Sequence, residues 1–74
     1  MPEIFRIESI GPEDEGAALV RRIMVRVDSV ETAKKRALKI LERARQPQAR
    51  ALGVERVRLV DGAGYEIFSV SVRD

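Results

Sequence analysis

Four segments of the chain alternate apolar and polar residues with a period of two, which is typical of β-strands with one buried face. In each segment the apolar residues hold one set of alternate positions, and arginines appear in the other set. The segments are Ile4–Ile10, Leu19–Val27, Val54–Val60 and Tyr65–Arg73. Because successive side chains on a strand point to opposite faces, these arginines are predicted to share one face of a sheet. They are Arg6, Arg22, Arg26, Arg56, Arg58 and Arg73.

A fifth segment, from about residue 29 to 46, repeats apolar residues at steps of three and four, as an amphipathic helix does. Asp28 or Ser29 is predicted to accept a hydrogen bond from an early backbone N–H and so begin the helix. Pro47 is predicted to end it, because proline has no N–H for the helical ladder. The apolar stripe consists of Val30, Ala33, Ala37, Ile40, Leu41 and Ala44.

The order of elements is therefore ββαββ, within a single domain of 74 residues. One amphipathic helix and one sheet with a single apolar face can bury those surfaces only against each other, which predicts an α+β two-layer sandwich with a mainly antiparallel four-stranded sheet. The strand order 2-1-3-4 is favoured over 1-2-3-4, because it makes every neighbouring pair antiparallel. The predicted core is Phe5, Ile7, Ile23, Val25, Val27, Ala33, Ala37, Ile40, Leu41, Ala44, Val57, Leu59, Phe68, Val70 and Val72.

The composition excludes several kinds of chemistry. The chain has no cysteine and no histidine, so it lacks a thiolate nucleophile, a cysteine metal site and the usual general base. The acids Glu13–Glu15 lack the spacing of a calcium loop, and the turn Asp61–Gly64 does not follow a nucleotide-binding pattern. We therefore predict no enzyme activity, no catalytic residues, no cofactor, no metal and no small-molecule substrate.

The chain is expected to be soluble and cytoplasmic. No stretch approaches the roughly 20 apolar residues of a membrane span. The start of the chain, Met1–Ile4, lacks the basic and apolar regions of a secretory signal. The region between helix and third strand, residues 48–52, is expected to form a short turn of helix.

The sheet face without a helix is the remaining candidate for function. Besides arginines, it is predicted to carry Ile4, Glu8, Met24, Val60, Ile67, Ser69 and Ser71. Such a mixed basic and apolar surface favours a protein partner, either a second copy in a homodimer or another protein. The last strand is a candidate edge for strand addition, and the acids Glu13–Glu15 are candidates to meet a neighbour's arginines. The residues assigned to this interaction surface are Arg6, Arg22, Met24, Arg26, Arg56, Arg58, Ile67 and Arg73.

The alternative is a nucleic-acid-binding module. Its phosphate contacts would come from Arg6, Arg22, Arg26, Arg56 and Arg58. Sheets that bind single strands stack bases on aromatic side chains, and Tyr65 is the only aromatic residue outside the predicted core. A solvated face is a third explanation, because an antiparallel sheet can leave one face to water and long side chains can spread their apolar stems over it. Codon usage can likewise account for eleven arginines against three lysines. Contacts between arginines and Glu8 would then be ordinary surface pairs of little energetic value.

Overall fold

The computed structural model describes residues 3–12, 14, 16, 18–47 and 53–73. The elements of this part of the chain are β1 (Glu3–Ile10), β2 (Leu19–Val27), α1 (Val30–Ala44), β3 (Arg56–Val60) and β4 (Glu66–Ser71). The strands form one sheet in the order β2-β1-β3-β4, and every neighbouring pair is antiparallel. The α+β fold and the favoured strand order are confirmed. The helical turn predicted for residues 48–52 lies outside the described residues.

Helix α1 begins at the residue after its cap. The Ser29 backbone is extended, and its hydroxyl accepts a hydrogen bond of 3.2 Å from the Thr32 N–H. Of the two predicted candidates, Asp28 and Ser29, it is therefore Ser29 that caps the helix. The helix buries Ala33, Ala37 and Leu41 from the predicted stripe. Because two of these side chains are only methyl groups, the helix backbone packs close to the sheet.

The hydrophobic core lies between α1 and one face of the sheet. At its centre are Phe5, Ile7, Val57 and Leu59, each no more than 1% exposed. Burial at this level contributes about 1.5–3 kcal/mol for each large apolar side chain. Ala44 is half-buried and lies outside the core cluster. Partly buried residues that pack against the cluster are Ile23, Val30, Ile40, Val54, Ile67, Phe68, Val70 and Val72.

A β-bulge in β4 overturns one prediction about the uncovered face. Pairing runs from Leu59 with Phe68 to Val60 with Glu66, so Ile67 has no partner of its own on β3. An extra residue of this kind interrupts the regular alternation of side chains along a strand. Ile67 therefore packs against the core, and its predicted place on the uncovered face is wrong. Glu66 takes the position opposite Val60 instead.

Candidate interaction surface

The sheet face opposite α1, hereafter the open face, collects side chains from all four strands. Residues directly opposite each other on neighbouring strands share a face. Glu8 lies opposite Arg22 on β2 and opposite Arg58 on β3. The register confirms that Arg6, Arg22, Met24, Arg26, Arg56 and Arg58 lie on one face. The other open-face residues are Ile4, Glu8, Ile10, Val60, Glu66, Ser69 and Ser71.

Glu8 is the centre of a buried ion cluster on this face. Its side chain is 2% exposed, although it points away from the core. Arg22 Nε donates a hydrogen bond of 2.9 Å to Glu8 Oε2, and Arg58 Nε donates one of 2.6 Å to Oε1. The two arginine side chains remain 47% and 40% exposed, so they cover the carboxylate from above. These contacts are therefore not the ordinary surface pairs that a merely solvated face would imply, because the carboxylate is enclosed by its partners.

The environment of Glu8 fixes its charge. Burial raises the pKa of Glu8, but the hydrogen bonds from Arg58 and Arg22 and the charges of both arginines lower it. The net effect holds the pKa of Glu8 below its ordinary value. Glu8 is therefore ionised at neutral pH and cancels one of the two positive charges beside it. This half of the open face is the less attractive half for an anionic ligand.

The other half of the open face has no ion pair of this kind, although Glu3 and Asp61 line a depression there together with Arg6 and Met24. Ile4 lies opposite Arg26, and Arg6 lies opposite Met24. Apolar and cationic side chains therefore alternate both along each strand and across the strand pair. We call these four residues the Met24 quartet. Met24 is 61% exposed and Ile4 49% exposed. Among the described residues, no carboxylate lies within ion-pair distance of Arg6 or Arg26.

Val60 is buried on the open face, although the sequence predicted it to be exposed. It is 4% exposed and lies outside the core cluster beneath the helix. Arg6 lies opposite it on β1. The Arg6 guanidinium lies 3.7 Å from the position that a Cβ would take on Gly64. The side chain of Arg6 thus starts beside Val60 and reaches toward the β3–β4 turn.

The last two predicted arginines are already engaged. Arg56 donates a hydrogen bond of 2.9 Å to the Ser69 hydroxyl. Arg73 lies beyond β4, which ends at Ser71 rather than at the predicted residue 73. Its side chain is 81% exposed, and its Nε lies 3.1 Å from Oε1 of Glu55. The two arginines border a depression of about 510 Å³ that Asp14 also lines. The neighbouring acids Glu13 and Glu15 lie outside the described residues.

Aromatic side chains are not part of the open face. Phe5 is buried, and Phe68 packs against the core. Tyr65 is 73% exposed and lies immediately before β4. Its backbone N–H donates to Asp61, whose carboxylate closes the β3–β4 turn. An array of aromatic side chains on which bases could stack is thus missing from the described strands.

The described residues contain no group of three side chains suited to hold a metal ion. Within the described residues, no helix is long and apolar enough to cross a membrane. Comparison of the chain with protein-family models, curated proteins and solved structures finds no match. The open face is therefore the feature of the described residues that bears on function.

Proposed function

We propose that this protein is a non-catalytic interaction module, and that the Met24 quartet binds a protein segment rich in acidic and apolar side chains. The observation that carries the proposal is the alternation of Ile4 and Met24 with Arg6 and Arg26, two guanidinium groups without a carboxylate partner among the described residues. Arginine with exposed apolar neighbours is typical of protein interfaces. Acidic side chains on the partner would supply the missing charge.

Charge disfavours a second copy as the occupant of the open face. In a symmetric face-to-face dimer, the same patch lies on both sides of the contact. Arg6 and Arg26 would then face positively charged residues of the other copy. Of the open-face acids, Glu8 is already enclosed by two arginines, which leaves one exposed acid, Glu66, against Arg6 and Arg26. A separate acidic partner therefore suits this surface better than a homodimer.

The apolar members of the quartet favour a protein over a nucleic acid. Phosphate binding uses the arginines alone, whereas a protein partner also gains from covering Met24 and Ile4. Full burial of a methionine side chain contributes about 1.5–3 kcal/mol. Binding that depends on Met24 as well as on Arg26 is thus the signature of the proposed function.

Fluorescence anisotropy with two labelled probes tests the proposal. The first is a flexible acidic peptide with leucines between its glutamates, and the second is a single-stranded oligonucleotide of equal charge. The variants are Arg26→Ser and Met24→Gln, with Lys39→Ser as the matched control, because Lys39 is exposed on the outer face of α1. We expect each open-face variant to weaken peptide binding by about three- to tenfold, and the control to leave it unchanged.

Two results would overturn the proposal. One is peptide binding that neither open-face variant weakens. The other is tighter binding of the oligonucleotide, sensitive to Arg26→Ser and insensitive to Met24→Gln, which would support the nucleic-acid alternative.

A further inference from the structure

Strand β2 is a free edge of the sheet next to the Met24 quartet. In the described part of the chain it pairs with β1 on one side only. From Arg21 to Val27 this pairing runs without interruption, so the outer side of β2 presents a regular row of unpaired backbone N–H and C=O groups. The opposite edge, β4, is shorter and carries the bulge at Ile67. β2 is thus the better edge for strand addition, although the sequence pointed to the last strand.

The charges along β2 disfavour self-pairing of this edge. The strand carries Arg21, Arg22 and Arg26 and no acidic residue. A second copy added to the edge would bring like charges together across the seam, which destabilises paired strands. Arginines on an edge also deter neutral strands, which bring no charge to match them. An acidic strand is the occupant that complements both the backbone and the side chains of β2.

We propose that the partner segment adds to β2 as an antiparallel strand with an acidic–apolar–apolar–apolar–acidic pattern. This inference rests on the proposed function and names its binding mode. On the open side, the two acids would lie opposite Arg26 and Arg22, and the middle apolar residue opposite Met24. Arg22 uses its Nε on Glu8, and a guanidinium has five N–H donors, so terminal donors remain for a second carboxylate.

On the helix side, an added strand would extend the core. Val25 and Val27 are buried there, and Ile23 is half-buried at the edge. A cleft of about 280 Å³ lies between β2 and the end of α1, and Val20, Ile23 and Ile40 contribute its apolar lining. The two remaining positions of the segment would face this side. Apolar residues at these positions would cover surface that β2 leaves accessible.

Alternate N-methylation of a peptide tests for strand addition. The probe is a labelled peptide with the core Glu-Val-Leu-Val-Glu between glycine and serine residues, a pattern that reads the same in both directions. One modified peptide carries N-methyl groups on the two valine amides, and the other carries them on the leucine and glutamate amides. In a paired strand, alternate amides point to the neighbouring strand. We expect one modified peptide to bind at least about tenfold more weakly, because it loses two or three backbone hydrogen bonds. The other should bind like the unmodified probe.

A charge exchange supplies the second readout. Arg26→Glu should weaken binding of the probe, and replacing only its first glutamate, the one opposite position 26, with lysine should restore binding to this variant, because the second glutamate still faces Arg22. Equal effects of the two N-methylated peptides would overturn strand addition while leaving the proposed function intact. Failure of the unmodified probe would likewise overturn strand addition. The proposed function would fail with it only if the flexible acidic peptide also does not bind.

Discussion

Arg58 on β3 donates a hydrogen bond of 2.6 Å to Glu8 on β1, across two directly paired positions of the sheet. Arg22 on β2 completes the cluster from the other side. One carboxylate thus connects three neighbouring strands on the open face. A shift of either pairing by one residue would move an arginine to the helix side. The cluster therefore favours the observed register in addition to the apolar core.

Replacing Glu8 with glutamine should destabilise the fold. The amide keeps the size of the side chain but presents a neutral group to Arg22 and Arg58. We expect the free energy of unfolding to fall by about 1–3 kcal/mol, as for loss of a buried hydrogen-bonded charge whose partners can still reach water. Urea denaturation measures the change. Glu66→Gln is the control, because Glu66 is exposed on the same face, and it should change stability by less than about 0.5 kcal/mol. Equal effects of the two variants would contradict the role of Glu8.

The contribution of Glu8 should depend on pH. Because its pKa is lower in the folded state than its ordinary value of 4.5, ionised Glu8 stabilises the fold above that value. The stabilisation is lost as pH falls through the folded-state pKa. The difference in unfolding free energy between the natural protein and Glu8→Gln should be constant near neutral pH and shrink below about pH 4.5. A difference that grows in acid would contradict this assignment.

Ser29 should contribute to stability through the helix cap. Ser29→Ala removes the oxygen that accepts from the Thr32 N–H, and a lost cap costs about 0.5–2 kcal/mol. Asp28→Ala is the control, because Asp28 was the competing candidate and is not the cap. Thermal unfolding followed by circular dichroism should show a lower midpoint for Ser29→Ala than for Asp28→Ala. The opposite order would assign the cap to Asp28.

The β3–β4 turn should need glycine at position 64. Gly64 has a φ of 92°, a left-handed conformation that side chains with a Cβ adopt at a cost of about 1–2 kcal/mol. Gly64→Ala should therefore lower the unfolding free energy by about 1 kcal/mol. Gly11→Ala is the comparison, because an added Cβ there meets its nearest atom at 3.5 Å, an ordinary contact. Similar losses in the two variants would argue against backbone strain as the cause.

The alternation of residues along each strand was sufficient to predict the elements, the helix-side core and the face of most arginines. It could not predict the exception at Ile67, because a bulge depends on how β4 meets β3 and leaves no mark in the period. The burial of Glu8 was also missed. One signal was present. Glu8 is an acid in the middle of β1, and the neighbouring strands carry arginines at positions predicted to lie on the same face as Glu8. That signal required the strand order, which the period of a sequence does not determine.

The division of the open face follows from the same contacts. Glu8 holds Arg22 and Arg58 together at one end, and Arg6 and Arg26 lie beside exposed Met24 at the other. The alternation of residues along the strands does not distinguish these two groups of arginines. Their carboxylate contacts distinguish them, because among the described residues the first group is ion-paired and the second is not.

Amide chemical-shift mapping tests the central claim most directly. The nitrogen-15-labelled protein is titrated with the flexible acidic peptide, and shift changes are followed for every backbone amide. We predict that the largest changes fall on the strand positions of the Met24 quartet, Ile4, Arg6, Met24 and Arg26, and weaken with added salt. Largest changes on the outer face of α1, around Lys35 and Lys39, or no changes at all, would contradict the assignment of the open face as the binding surface.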